Sequence, residues 1–373
     1  MERNMQIATI IAVLIVAVGI GYYLPNSAGA EPVYIGHIGP LTGFMAAYGD
    51  QEKQGIDLAV EEINALGGIN GRELAVIHED DQMDPTMATN AINKLITVDK
   101  VPAVIGEISS AVTLAIAPIA ERNKVVLISH LANSNEISGA GDYIFRIQAT
   151  DALQAEYLVD LASSLNLSDC AILYMNSDFG IDLEQSVADH FVKNGGIVAI
   201  SEGYNPDATD FRTQLTKIKA ENPSVIFLIG YPNDMAMALR QAKEIGITSQ
   251  FIAPDTFNEP IIIELGGNAT EGVIFLYPPT EGPKWDEFNQ KIMDKYGDNA
   301  TIVTAMAYDA TNLLATAMKS DGVTGEAIKA GLYQIEDYPG VTGNITFDEH
   351  GDVISRVYIP KIVKGGKFED YGA

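Results

Sequence analysis

Ser109 and Ser110 stand at the head of an apolar-periodic stretch, Ser110 to Arg122, whose spacing predicts a helix. A serine pair in that place has two uses. Free backbone N–H groups and the helix dipole favour an anion there, and the same serines serve as an ordinary helix cap. Little else has the spacing of catalysis or metal binding. His37, His78, His130, His190 and His350 give no His-x-x-x-His pair, and the single cysteine, Cys170, excludes Cys-x-x-Cys and any intrachain disulfide. No Gly-x-Ser-x-Gly elbow offers a hydrolase nucleophile. Neither a phosphate loop nor a dinucleotide fingerprint is present. In so acidic a chain, Asp80-Asp81 and Asp50 with Glu52 read as solvated pairs. Glu79, Asp80, Asp81 and Asp84 do not match a calcium-loop spacing. The expectation is a binding protein and not an enzyme, with no metal site and no cofactor.

Charge narrows the partners. Acidic residues number 50 against 23 basic ones, a formal net charge of −27, and no Lys/Arg cluster interrupts that field. It repels phosphate backbones, so no nucleic-acid partner is expected. Ile7 to Leu24 is an apolar run without charge, followed by Pro25-Asn26-Ser27-Ala28-Gly29-Ala30. The small-x-small end suits cleavage of a signal peptide; the length of the run equally meets the need of a membrane anchor. Both readings put the chain after Glu31 outside the cytoplasm, periplasmic or at the cell surface. Cys170 opens an apolar run and reads as a core residue. Asn166, Asn268, Asn299 and Asn344 begin Asn-x-Ser/Thr triplets, a weak glycosylation signal.

The elements that must position these groups follow from periodicity. Val33–Ile38, Leu74–His78, Ala103–Ile105 and Val125–Ser129 read as strands. They alternate with helices at Gln51–Leu66, Pro85–Thr97 and Ser110–Arg122. The rhythm restarts near residue 150 with helices 151–165, 181–193, 210–220 and 233–245. Between them come strands 171–175, 197–201, 225–229 and 251–253. Helices 285–296 and 301–319 have no strand between them and are expected to pack back onto the first unit. Gly343–Phe347 and Val353–Ile362, around His350-Gly351, read as a β-hairpin. The fold class is α/β: two doubly wound α/β lobes joined by a multi-crossover hinge, preceded by an N-terminal apolar helix. The expected division is 1–30 as signal peptide or anchor with linker, then 31–149 plus about 279–340 as one lobe. The other lobe is 150–278 plus about 341–373. Ligands of such sheets bind beyond the carboxyl ends of the strands.

An ordered series of short motifs carries a resemblance. Ile35-Gly36-His37-Ile38-Gly39-Pro40-Leu41-Thr42-Gly43 is followed by Tyr48-Gly49-Asp50-Gln51-Glu52, Gly55 and Glu61 through Gly71. Asp80-Asp81 with Asp84-Pro85, Val104-Ile105-Gly106, Asp178-Phe179-Gly180, Gly230-Tyr231 and Tyr308-Asp309-Ala310 continue the series. After residue 31 the chain resembles the leucine/isoleucine/valine-binding and amide-binding proteins of ABC transporters, which have the type I periplasmic binding-protein fold. The resemblance implies a small-molecule ligand, an amino acid or amide, held in the cleft and delivered to permease subunits, with a membrane contact if the N-terminal helix stays uncleaved. A ligand-sensing receptor ectodomain acting through a partner protein is the alternative with the same fold. The resemblance further implies that Ser110 meets the ligand carboxylate, beside Ser109 at the same helix start, with Leu131, Ala132 and Asn133 adding backbone groups and an amide where relatives carry a hydroxyl. Asp255 is implied to pair with an ammonium group, Tyr48, Phe179 and Tyr231 to wall the pocket. Phe179 stands where relatives often have tyrosine, and His130 where proline is common.

Overall fold

The computed structural model describes residues 31–372 apart from Asp207. The expected apolar helix and its linker lie outside the described residues. Five strands form the first sheet: β1 (Val33–Gly39), β2 (Leu74–Asp80), β3 (Ala103–Ile105), β4 (Val126–Ser129) and β5 (Ile144–Arg146). All pair in parallel, in the order β2-β1-β3-β4-β5. Every residue of β3, β4 and β5 is buried, as helices covering both faces require. Those helices are α1 (Ala46–Ala65), α2 (Pro85–Thr97) and α3 (Ser110–Asn123). Asp84 starts α2 by accepting the N–H groups of Thr86 and Met87 at 2.8 and 2.9 Å, with Pro85 in the first turn, where its missing N–H costs nothing.

The second sheet repeats the plan. After α4 (Asp151–Ser164) come β6 (Asp169–Met175), α5 (Asp178–Lys193), β7 (Ile197–Tyr204) and α6 (Arg212–Glu221). They are followed by β8 (Val225–Ile229), α7 (Pro232–Glu244), β9 (Gln250–Ala253), α8 (Pro260–Gly266) and β10 (Ile274–Tyr277). The parallel order β7-β6-β8-β9-β10 matches that of the first sheet, strand for strand. Cys170 is buried in β6, a core thiol as its apolar run predicts.

The chain then returns to the first sheet. α9 (Pro283–Tyr296), α10 (Ile302–Asp321) and α11 (Gly325–Tyr333) follow β10 without an intervening strand, and α10 packs along α1. The approach is so close that a Cβ on Gly55 would lie 2.1 Å from the Thr304 carbonyl oxygen, so only glycine fits there. Two corrections concern the tail. Gly343 to Ile345 forms β12, which pairs with β11 (Tyr338–Gly340), and only the single bridge Phe347–Val353 remains of the expected hairpin around His350. The true hairpin is β13 (Ile359–Lys364) with β14 (Lys367–Asp370), turning at Gly365-Gly366, which adds two antiparallel strands beside β10. A third correction is Asp81. It is fully buried, because Met83 N–H bonds its carboxylate at 2.9 Å and pulls the loop in.

Candidate functional site

The carboxyl ends of both parallel sheets face one cavity with about 660 Å³ of empty volume, its mouth included. Each wall residue sits just past a strand or at a helix start. From the first sheet come Ile108 and Ser110 after β3, Leu131 and Asn133 after β4, and Gln148 after β5. From the second come Phe179 after β6, Tyr231 after β8, Asp255, Thr256 and Glu259 after β9, and Tyr277 closing β10. Met45 and Tyr48 at the start of α1, with Ile302 and Val303 of α10, complete it.

Seven of the nine expected residues meet there: Tyr48, Ser110, Leu131, Asn133, Phe179, Tyr231 and Asp255. Ser109 and Ala132 do not line it. The Ser109 hydroxyl caps α3 at the Val112 N–H (3.4 Å), and its own N–H is taken by Glu107 at 2.6 Å. Ala132 is buried, its N–H held by the Ser129 hydroxyl at 3.0 Å. Thus the cap and the cavity-lining group at this helix start are different serines. Ser110 opens α3, where first-turn N–H groups have no intrahelical partner, and its Oγ accepts the Ser134 N–H at 3.2 Å. The Asn133 side chain makes no hydrogen bond among the described residues, while its carbonyl holds the Asp151 N–H at 2.8 Å.

Opposite lies Asp255. It opens a short 3-10 turn, Asp255–Phe257, and is not the cap of the next helix, a place taken by Glu259. Its Oδ2 accepts from the Gln148 amide at 2.9 Å and the Tyr358 hydroxyl at 3.4 Å. Burial pushes its carboxyl above the usual range, and those donors only partly pull it back. Glu259 is raised by burial in the same way, against a hydrogen bond from the Tyr48 hydroxyl at 3.1 Å. No lysine, arginine or histidine lines the cavity among the described residues. Phe179 and Tyr231 stack from adjacent loops, ring centroids 6.0 Å apart and planes at 28°. Along the rim, Ser134 Oγ donates to Asp182 and Asn135 Nδ2 to Ser186 Oγ at 3.1 Å, so the two sides touch directly.

Sequence reasoning missed Gln148, Thr256, Glu259 and Tyr277, and also the apolar lining from Met45, Ile108, Ile302 and Val303. Thr256 and Glu259 follow Asp255 on the same loop, and Glu259 precedes a proline that starts α8, which reads as a cap. Yet its side chain caps nothing and reaches Tyr48 instead. Gln148 follows β5 and Tyr277 closes β10, two strands that the sequence reading did not pick out.

His130 lies outside the cavity in a buried polar cluster. Its Nε2 is 3.3 Å from Glu52 Oε1, while His37 Nε2 lies 3.0 Å from Glu52 Oε2 and His37 Nδ1 2.9 Å from His78 Nδ1. Burial alone would raise the Glu52 carboxyl, but His130 and His37 outweigh it and hold it below the usual range. Burial lowers the His37 imidazole. Asp81 and Glu107 are raised by burial and by their neighbouring carboxylates, Asp81 to about 6.

Comparison with known proteins accords with this architecture. The model of the periplasmic binding protein family matches residues 32–367. The leucine-, isoleucine-, valine-, threonine- and alanine-binding protein of Pseudomonas aeruginosa is 29% identical over 344 residues, 91% of this chain and 92% of that protein. The Leu/Ile/Val-binding protein of Escherichia coli is 29% identical over 339 residues, 88% of this chain and 90% of that protein. Among solved structures, the leucine-binding protein LivK of Thermotoga maritima superposes with a TM-score of 0.85 at 29% identity, covering 91% of this chain and 98% of that one. LivJ of Streptococcus pneumoniae, solved with isoleucine, gives a TM-score of 0.82 at 28% identity, with 91% and 98% covered. With a matched model over nearly its whole described length and the doubled sheet order on the page, the chain belongs to the periplasmic binding protein family and has its type I α/β fold.

Proposed function

We propose that this chain is the extracytoplasmic solute-binding protein of an ABC importer, one that closes around an α-amino acid or small amide and hands it to the permease. The observation that carries this reading is Asp255, a half-buried carboxylate facing the cavity without a cation. Such a group is costly unless a positive partner arrives, and an ammonium group supplies one. Across the cavity, Ser110, Asn133 and the first turn of α3 offer donors to a carboxylate. One molecule carrying both charges fits that polarity. The relatives named for leucine, isoleucine and valine support the class. The lobes proposed are 31–149 with 279–340 and 150–278 with 341–373, closing about the connecting segments and favoured by ligand contacts made from both sides. Calorimetry against the twenty amino acids, small amides and urea is the direct test. One-to-one binding of at least one α-amino acid or amide is expected. Silence from all of them, with no thermal shift, overturns the reading.

A further inference from the structure

The cavity holds one acid more than an aliphatic amino acid needs. Asp255 already has two protein donors and answers the single α-ammonium of such a ligand. Glu259 stands four residues on, lines the same space, and has one protein partner, the Tyr48 hydroxyl at 3.1 Å on Oε1. Its Oε2 has no partner among the described residues, and neither acid has an ion pair there. The same cavity is lined by the apolar side chains of Met45, Ile302 and Val303, and the Tyr277 phenol lies near enough to Glu259 to feel its charge. Closed over a hydrocarbon side chain, an ionised Glu259 would keep an unanswered charge in a dry space, and a protonated one an unanswered O–H.

We infer that Glu259 is a specificity-determining residue, and that the ligand is an amino acid whose side chain ends in an N–H donor, a carboxamide or an ammonium group, meeting Oε2. This rests on the amino-acid reading above. Tyr48 then has a definite role. By donating to Oε1 from α1 it fixes the carboxylate across the cleft and leaves one oxygen for the ligand.

Calorimetry with L-glutamine, L-asparagine and L-ornithine against L-leucine and L-norleucine tests this on the full described chain. The wild type is expected to bind at least one N–H-bearing ligand tenfold or more tightly than leucine. Glu259→Leu should cut that preference at least tenfold, by losing the polar ligand and gaining leucine. Glu259→Gln keeps an acceptor for Tyr48; it should retain most carboxamide binding and lose the ammonium ligand. A melting temperature near wild type for Glu259→Gln secures the fold. Tighter wild-type binding of leucine than of every N–H-bearing ligand overturns the inference, as does an unchanged preference in Glu259→Leu and Glu259→Gln. In both of those cases the amino-acid reading survives. If no amino acid binds the wild type, both fall together.

Discussion

Two regions of the molecule bury charge on opposite terms. Where the chain crosses between the sheets, Arg146 is fully buried and fully answered. It bonds Asp352 at 2.5 Å, the Ser134 carbonyl at 2.6 Å and the Ser138 hydroxyl at 2.6 Å. Nearby, Arg356 bonds the carbonyls of Ile147 and Thr342, both at 2.5 Å, while Asp309 takes three donors from Val341 and Thr342. Burial lowers the Arg356 guanidinium to about 10, with Asp309 opposing. In the cavity, Asp255 and Glu259 are half-buried, with hydroxyl and amide donors but no cation. The chain thus supplies counter-charge where charge holds the fold together. It withholds it where a visitor is to bring it.

That contrast breaks first at Arg146. Replacing it with methionine leaves Asp352 and the Ser134 carbonyl unanswered, and the loss of a buried partner costs about 3–5 kcal/mol. Urea unfolding followed by the single tryptophan, Trp285, buried in α9, should report that loss. Adding Asp352→Leu should recover most of it. If the single variant is as stable as wild type, the crossover pair is not structural.

The cavity should behave in the opposite sense. Asp255→Ala is expected to weaken an amine-bearing ligand at least a hundredfold, about 2.7 kcal/mol, while the free protein melts no lower than wild type. A change in affinity of threefold or less removes Asp255 as ammonium partner. Affinity should also fall as pH drops through the raised Asp255 value, because only the ionised carboxyl attracts the cation.

Asp81 sharpens the comparison with the smallest effect. It too is buried without a cation, but among other acids and outside the cavity. With a folded value of about 6 against an unfolded one of about 3.9, the folded state holds more protons between those limits. Stability therefore falls as pH rises from about 4 to about 6, by less than about 1.4 kcal/mol per pH unit, the value of one proton. Asp81→Asn should flatten that slope in unfolding titrations. An unchanged slope assigns it to other groups.

Much of this was legible beforehand, and the exceptions have physical causes. Alternating strand and helix periods announce both sheets, because buried parallel strands read as short apolar runs. The strands β5 and β10 escaped although β3 and β9 are as short: each follows only a brief helical stretch, Asn135–Gly139 or Pro260–Gly266, so the strand–helix alternation that marks the others is weak there. The tail misled because Phe347 and Val353 do pair, but at one bridge only. Asp81 misled because charge counts describe a chain and not a position. At the site, Gln148 after the unread β5 and Tyr277 in the unread β10 were missed. So were Ile108 after β3 and Thr256 and Glu259 after β9, because a readable strand locates a loop and not which of its side chains turn inward.

The packing of α10 on α1 at Gly55 has a consequence for the order of events during synthesis. Between the last strand of the first sheet, ending at Arg146, and the helix that covers α1, starting at Ile302, the chain builds an entire second sheet. A growing chain that has made only its first half exposes the apolar face of α1 with nothing to cover it. Neither half is contiguous, so neither is complete until nearly the last residue has been added. The contacts that close each half therefore join residues far apart in the chain, which makes their formation late and slow relative to local pairing.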